Sequence, residues 1–462
     1  MRHCTVSLWK TWDTCAVSRG RLALLLAALS FAIYVPSLSG DFLVDDVDYV
    51  LSNQALLEPG LLKRSFSDPS TLTASPSQAR MMYRPLTALS FGVNRRLGGD
   101  NVFWFHLVSV LLHAGNVCLV YLLSGSAAGA AVFALHPAQV ESVAYISGSR
   151  ATLLSFFFCA ASLLLFRSKR RKTALLCFIL ALLSKESSAV LCLLIPFFDE
   201  EKGRWKRWLP FLASVVVFVA LRRWVLGCWA QRDPWESHWI SSIYGLFQDL
   251  RIALWPVGLR PCYSFSGTVW GAVWRAGVFL GLCALALRSL PVFWFLVCLL
   301  PVSNLLPVEA LAADRFLYMP LAGVALLLAK LPRAWPAVCI LALLLGAKTL
   351  EQQSYWQDGF RLDAAAHAAA PEDVCTSVNL STHYCNWGML DKAEALLSPA
   401  LEPGAPPHLR QGALMQMAVI RIRGHRQQEA LSYLDEALKG RPGDEELLGL
   451  RRIVTSRPRA GS

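Results

Sequence analysis

Residues 22–38 read LALLLAALSFAIYVPSL and residues 39–46 continue SGDFLVDD. The first stretch carries no charge and approaches the length of about 20 mostly apolar residues that crosses a bilayer core of about 30 Å. The second returns at once to acids. Lys10, Arg19 and Arg21 precede the apolar run, and no small-residue cleavage site precedes Asp41. The stretch therefore reads as a retained membrane anchor, with residues 1–21 in the cytoplasm.

Composition extends that reading to the whole chain. Of 462 residues, 55% are hydrophobic and 16% charged, and the mean hydropathy is +0.43. Soluble domains run at about 45–50% apolar and about 25% charged, so a soluble globular protein is excluded, as is a largely disordered one. Further spans read as Val102–Leu123, Ala127–Ile146, Ala151–Phe166, Thr173–Ser184, Ser187–Phe198, Trp208–Gly227, Val273–Leu287, Pro291–Leu306, Phe316–Leu331 and Trp335–Leu350. The two around Lys185-Glu186 are short, which suits broken or tilted helices. Cys228–Ser242 reads as a wet loop. Ile243–Gly258, interrupted by Asp249 and Arg251, reads as re-entrant or interfacial. The expected fold is all-α, a polytopic helical membrane domain over 22–350 with about 11 transmembrane helices and an extracytoplasmic loop at 39–100.

The net charge of +12 is unevenly placed. Residues 351–462 hold 12 Lys and Arg against 14 Asp and Glu, so the excess lies in the apolar part, in short loops such as Arg167–Lys172 and Lys202–Arg207. Basic loops between apolar segments mark the cytoplasmic side and lack the aromatic interleaving of a nucleic-acid groove, so no nucleic-acid partner is expected. Eleven spans from a cytoplasmic start place residues 351–462 outside, on the same side as the acidic loop.

That tail is polar and repetitive. Gly388, Ala393, Ala400 and Pro403 recur as Gly424, Ala430, Ala437 and Pro442. Each set sits in an amphipathic helix–turn–helix pattern, and an earlier half-repeat runs from Trp356 to near Pro371. Small residues for close helix packing and a closing Pro are the tetratricopeptide pattern, so 351–462 is expected to be a short, extracytoplasmic tetratricopeptide-repeat domain. Most of the 13 cysteines lie in apolar runs, where they act as small hydrophobes. Cys375 and Cys385 are a candidate pair only if the tail meets an oxidising compartment. Asn379-Leu380-Ser381 is a glycosylation sequon.

The chemistry-bearing residues gather at one mouth of the bundle, where charges near a bilayer are costly and usually functional. Asp45-Asp46 lies just beyond the first span. Two adjacent acids with apolar neighbours suit a raised pKa and a general base; a solvated loop acid is the plain alternative. His136-Pro137 and Glu141 sit at the outer end of the third span, with Arg150 beyond. A metal pair is one reading of His136 and Glu141, and a polar lining or helix break the stronger one. Lys185, Glu186, Asp314-Arg315 and Arg84 fall on the same side. Several cations around two acids would suit a lipid-linked phosphate. His106 and His113 share a helix face, where interhelical hydrogen bonds are favoured over ligation. No glycine-rich phosphate loop, nucleophile elbow or HExxH motif occurs.

Asp41–Asp46, Arg84 through Leu107, Phe133-Ala134-Leu135-His136-Pro137 to Glu141, Ser184–Ser187, and Pro301–Asn304 through Asp314–Tyr318 resemble, in this order, the transmembrane O-mannosyltransferases with tetratricopeptide repeats. These are GT-C glycosyltransferases, of the cadherin-targeting type or a bacterial relative. The resemblance implies a GT-C-like membrane domain and transfer of a sugar, mannose in most cases, from a polyprenyl or dolichyl phosphate donor to Ser or Thr hydroxyls of secretory proteins. It maps the acidic pair onto Asp45 and Asp46 as catalytic residues. It also carries a donor-phosphate or substrate-binding role onto Arg84, Lys185 and Arg315, with His136, Glu141, Arg150 and Glu186 around them. No metal ligand is assigned, and a divalent metal stays open as a requirement. The implied partners are the bilayer, the lipid-linked donor and an acceptor protein recruited by the repeats. The implied location is the endoplasmic reticulum membrane in a eukaryote or the plasma membrane in a bacterium. The chain departs from the family in its short repeat array and in Val108-Ser109, where an Asn-rich position is usual. The competing readings are an inactive repeat scaffold or assembly factor and a lipid-linked sugar transporter; the latter would place charges at mid-span and show repeated halves.

Overall fold

The computed structural model describes residues 16–79, 81–199, 205–227, 238–264, 268–304, 310–402, 405, 407–440 and 442–456. The N-terminal residues 1–15, positions 202–204 of the basic loop, positions 228–237 of the wet loop and Pro403 lie outside them.

Among the described residues there is no strand, in agreement with the all-α expectation. The helices run α1 Ala16–Tyr34, α2 Leu61–Ser67, α3 Pro76–Ala79, α4 Pro85–Gly98, α5 Val102–Ser124, α6 Ala127–Leu135, α7 Gln139–Ala144, α8 Ile146–Arg167, α9 Arg171–Ser184, α10 Leu191–Leu194 and α11 Leu209–Leu226. They continue as α12 His238–Leu254, α13 Val269–Ala286, α14 Leu290–Leu299, α15 Tyr318–Leu328 and α16 Trp335–Tyr355. The last six are α17 Gly359–Ala369, α18 Val374–Asn386, α19 Leu390–Leu401, α20 Pro407–Arg423, α21 Gln427–Gly440 and α22 Glu445–Ser456. Two compact units result: Met1–Leu259 with Gly267–Gly359, and Arg260–Ser266 with Phe360–Ser462.

Among the described residues of the first unit, six helical segments are long and apolar enough to cross a membrane, namely Arg19–Ser39, Val102–Ser124, Ile146–Arg167, Leu209–Leu226, Val269–Ala286 and Pro332–Tyr355. Such a set fits a multi-pass membrane protein. The other five expected spans coincide with shorter or interrupted helices. The window 127–146 breaks at His136-Pro137-Ala138, because Pro137 supplies no backbone donor to continue α6. At 1.5 Å per residue, α6 is far too short to cross. Its small residues, Ala127-Ala128-Gly129-Ala130-Ala131, instead let it pack closely among α5, α15 and α16. The helix starts are locally encoded: Asn101 accepts from Phe103 N–H at the start of α5 and Ser126 from Gly129 N–H at the start of α6.

The segment beyond the first span is folded. Tyr49, Val50, Leu56 and Leu72 form a core with Ala88, Phe91, Phe105 and Ile146. Buried Arg95 ties it down, donating to the carbonyls of Asn53 (2.9 Å) and Leu51 (3.1 Å). His113 bonds the Tyr318 hydroxyl at 2.8 Å, and Asn116 donates to that oxygen at 2.9 Å. His113 thus makes the interhelical bond expected of it.

The second unit stacks helical pairs through small residues. Ala393, Ala400, Ala430 and Ala437 are fully buried, and they face Ala413, Met417, Leu434 and Leu447 in two adjoining cores. The turns differ. Gly388 takes the left-handed conformation in the first repeat (φ +76°), whereas in the second His425 takes it (φ +58°) and Gly424 does not. The candidate pair Cys375 and Cys385 is not the one formed. Cys375 is bonded to Cys262, and Cys385 is free and buried. Residues 260–264 pack with the repeats: Asp373 accepts from Ser264 N–H at 3.1 Å, caps α18 through Cys375 N–H and pairs with Arg260. Asn379 is partly buried in α18 and donates to Asp363 at 3.4 Å.

Candidate active site

The acidic pair divides into two environments. Val44 adopts φ +49°, a left-handed conformation that is strained for a β-branched residue. This tight turn sends Asp45 and Asp46 in different directions. Asp46 is fully buried and accepts from Leu43 N–H at 3.0 Å and Ser147 N–H at 2.6 Å. Burial pushes its pKa up from 3.8 to about 6, against those hydrogen bonds and with a smaller push from Asp45. Asp45 stays half-buried, and its Oδ2 accepts from the Tyr145 hydroxyl at 2.9 Å. The reachable carboxylate is therefore Asp45, with Asp46 pinning the loop to the start of α8.

Arg315, on which Asp45 acts, belongs to a cluster of cations. Arg315 bonds Glu141 twice, through its backbone N–H at 2.7 Å and through its guanidinium, and that guanidinium lies over the Tyr145 ring at 5.8 Å. Arg84, just before α4, forms a two-pronged pair with Glu186 at 2.7 and 3.1 Å, the geometry that suits guanidinium and carboxylate. Lys185, where α9 ends, donates to Thr152 at 2.7 Å. Burial, then Arg84, pushes its pKa down from 10.5 to about 7, and Arg315 adds to the repulsion. Arg84, Lys185 and Arg315 thus feel one another's charge, although they come from well-separated parts of the chain.

Two of the expected site residues face elsewhere. Arg150 is fully buried, with its guanidinium on Ser90, Asn94 and the Phe105 carbonyl and over the Phe91 ring. His136 caps the break after α6, its Nδ1 accepting from Ala138 N–H at 3.3 Å. Glu141 is paired with Arg315. Among the described residues no three His, Cys, Asp or Glu side chains converge as a metal site would. Sequence reasoning overlooked Tyr145, Thr152 and Asp249. Asp249 is buried, neither of its carboxylate oxygens has a hydrogen-bond partner among the described residues, and it senses Asp314 and Glu141. The signal for Tyr145 was its place between Glu141 and Arg150, at the junction of two helices.

Protein O-mannosyl-transferase F38B6.6 of Caenorhabditis elegans is 27% identical over 427 residues, covering 81% of this chain and 61% of its own. The chain is similar to protein O-mannosyl-transferases. TMTC2 of Mus musculus and Tmtc1 of Drosophila melanogaster, which carry the same name, are each 36% identical over 143 and 141 residues. Those stretches cover 29% and 28% of this chain but only 17% and 16% of the two mannosyl-transferases. The chain thus spans about three fifths of the worm protein's length and under a fifth of the other two. No family model matches the sequence, and no solved structure does.

Proposed function

We propose that this protein is a membrane glycosyltransferase of the GT-C type that moves a sugar, mannose, from a polyprenyl or dolichyl phosphate donor to Ser or Thr hydroxyls of proteins. The observation that carries this reading is the half-exposed Asp45 carboxylate, which acts on Arg315, the cation that in turn feels Arg84 and Lys185. Asp45 takes the proton of the acceptor hydroxyl as its oxygen attacks the sugar C1. The bond from C1 to the phosphate oxygen breaks, and its electron pair leaves with the lipid phosphate, inverting the anomeric centre. Negative charge grows on that phosphate, and the cation cluster stabilises it in a site where charges are poorly screened. Lys185 is the cation best suited to gain from this, since Arg84 and Arg315 already hold carboxylates.

The repeats recruit the acceptor protein and share the extracytoplasmic side with Asp45. Basic residues 167–172 on the opposite side support that orientation, as does the Cys262–Cys375 disulfide, since such bonds persist in oxidising compartments. The reading places the protein in the endoplasmic reticulum membrane of a eukaryote or the plasma membrane of a bacterium.

Membranes expressing the protein, given labelled polyprenyl-phosphate mannose and secretory acceptors, provide the test. Wild type transfers label to protein, and Asp45→Asn lowers transfer at least about 100-fold at unchanged expression, within the span for losing a general base. Transfer untouched in Asp45→Asn overturns the site. No transfer from mannose or other lipid-linked sugars overturns the reaction and leaves the repeat scaffold as the reading.

A further inference from the structure

Tyr145 touches both halves of the site. Its hydroxyl is the donor to Asp45, its ring lies under the Arg315 guanidinium, and its other face tilts against Trp356, centroids 5.9 Å apart. The ring packs directly on Gly148, where a Cβ would stand 2.2 Å from its Cε1. Trp356 is itself buried at the end of α16. The same exit segment holds the acidic loop directly. Gln357 C=O accepts from Asp41 N–H at 2.9 Å, and a Cβ on Gly40 would stand 3.3 Å from the Trp356 carbonyl oxygen. One turn back, Gln353 accepts from Ser37 at 2.7 Å and donates to the Ile33 carbonyl at 2.9 Å. The chain then enters α17 at Gly359.

We propose that Tyr145 is a positioning residue that aims the Asp45 carboxylate, and that Trp356-Gln357, the segment leading out of the last span, holds Tyr145 and the acidic loop in the working arrangement. The inference rests on the reaction proposed above. It adds a control point: the exit of α16 sets the geometry of the base, so a displacement of that segment switches turnover. Around Asp45 the charged and titratable groups are Asp46 from its own loop, Tyr145 from the α7–α8 junction and Arg315 from the segment before α15. Tyr145 gives Asp45 a hydrogen bond.

The test is steady-state transfer by the full-length protein, with donor and acceptor varied separately. Tyr145→Phe keeps the ring and removes the hydroxyl; kcat is expected to fall roughly 10- to 100-fold, the range for losing a hydrogen bond to a charged group, at unchanged KM for the donor. In an Asp45→Asn background the same change adds no further loss, a non-additivity that a merely structural tyrosine would not show. Trp356→Ala lowers kcat in the same way, and Trp356→Phe, which keeps an aromatic face, restores most of it. Gly148→Ala, which displaces the ring without touching the hydroxyl, also lowers kcat. Wild-type turnover in Tyr145→Phe, or a loss confined to KM, overturns the assignment alone. If Trp356→Phe is as damaged as Trp356→Ala in a protein of unchanged melting temperature, the control by the exit segment falls. Absence of transfer in wild type brings down the reaction and this inference with it.

Discussion

Adjacent carboxylates that differ by a single peptide unit meet opposite fates because one is desolvated and the other is not. Asp46, with its pKa raised from 3.8 to about 6, favours the fold when protonated. Its contribution is complete below pH about 4 and is lost as the pH rises through about 6, a loss on the order of 3 kcal/mol. Thermal melting of the purified protein across pH 4–7 should show that decline, and Asp46→Asn should flatten it. The Asp45-Asp46 motif was visible in sequence as a pair; which member is reachable was not, since that depends on Ser147, a hundred residues away, donating to Asp46. Arg150 carries the same lesson in reverse. A guanidinium at the mouth of a span invites a phosphate, yet its neighbours Ser90, Asn94 and the Phe105 carbonyl use it to join α8 to α4 and α5.

Elements divide into those whose ends are locally coded and those whose partners are remote. The long span α5 begins at Asn101 and ends at Gly125 (φ +68°), both legible in sequence. The break of α6 at Pro137 was written there too, but a window of twenty apolar residues hid it. The Arg315–Glu141 pair joins α7 to the segment before α15, and the Glu141 side chain is fully buried. Removing one partner of a buried pair strands the other charge, so Glu141→Gln should destabilise the protein by about 3–5 kcal/mol in chemical unfolding. In the second unit, the Cys262–Cys375 bond closes a sequence separation of 113 residues. Replacing either cysteine by Ser should cost about 2–4 kcal/mol of that unit's stability, while Cys385→Ala should cost less. Peptide mapping without reductant should recover residues 262 and 375 in one linked fragment.

For the whole molecule, the repeat unit is built from more than the tail. Residues 260–264 leave one helical unit, pair with Asp373 and Cys375 in the other, and return. Two repeats fall short of the three or more that usually sustain such arrays, and this added segment supplies part of what is missing. Reduction of the intact protein should therefore lower the melting transition of the repeats, read by limited proteolysis of residues 360–456, and leave cleavage within α5 and α8 unchanged.

What the sequence determined alone was everything carried by neighbours along the chain: apolar runs of membrane length, the small-residue periodicity of the repeats, the helix caps and the presence of acids and bases near the ends of apolar runs. Those signals are local, because hydropathy and capping act within a turn or two. Only the tertiary structure decided which charges pair, that Cys375 meets Cys262, that Arg150 faces inward and that Tyr145 completes the site. Each of these depends on groups far apart in sequence being buried together, where an ion pair or a hydrogen bond is worth far more than in water, and periodicity along the chain does not record such encounters.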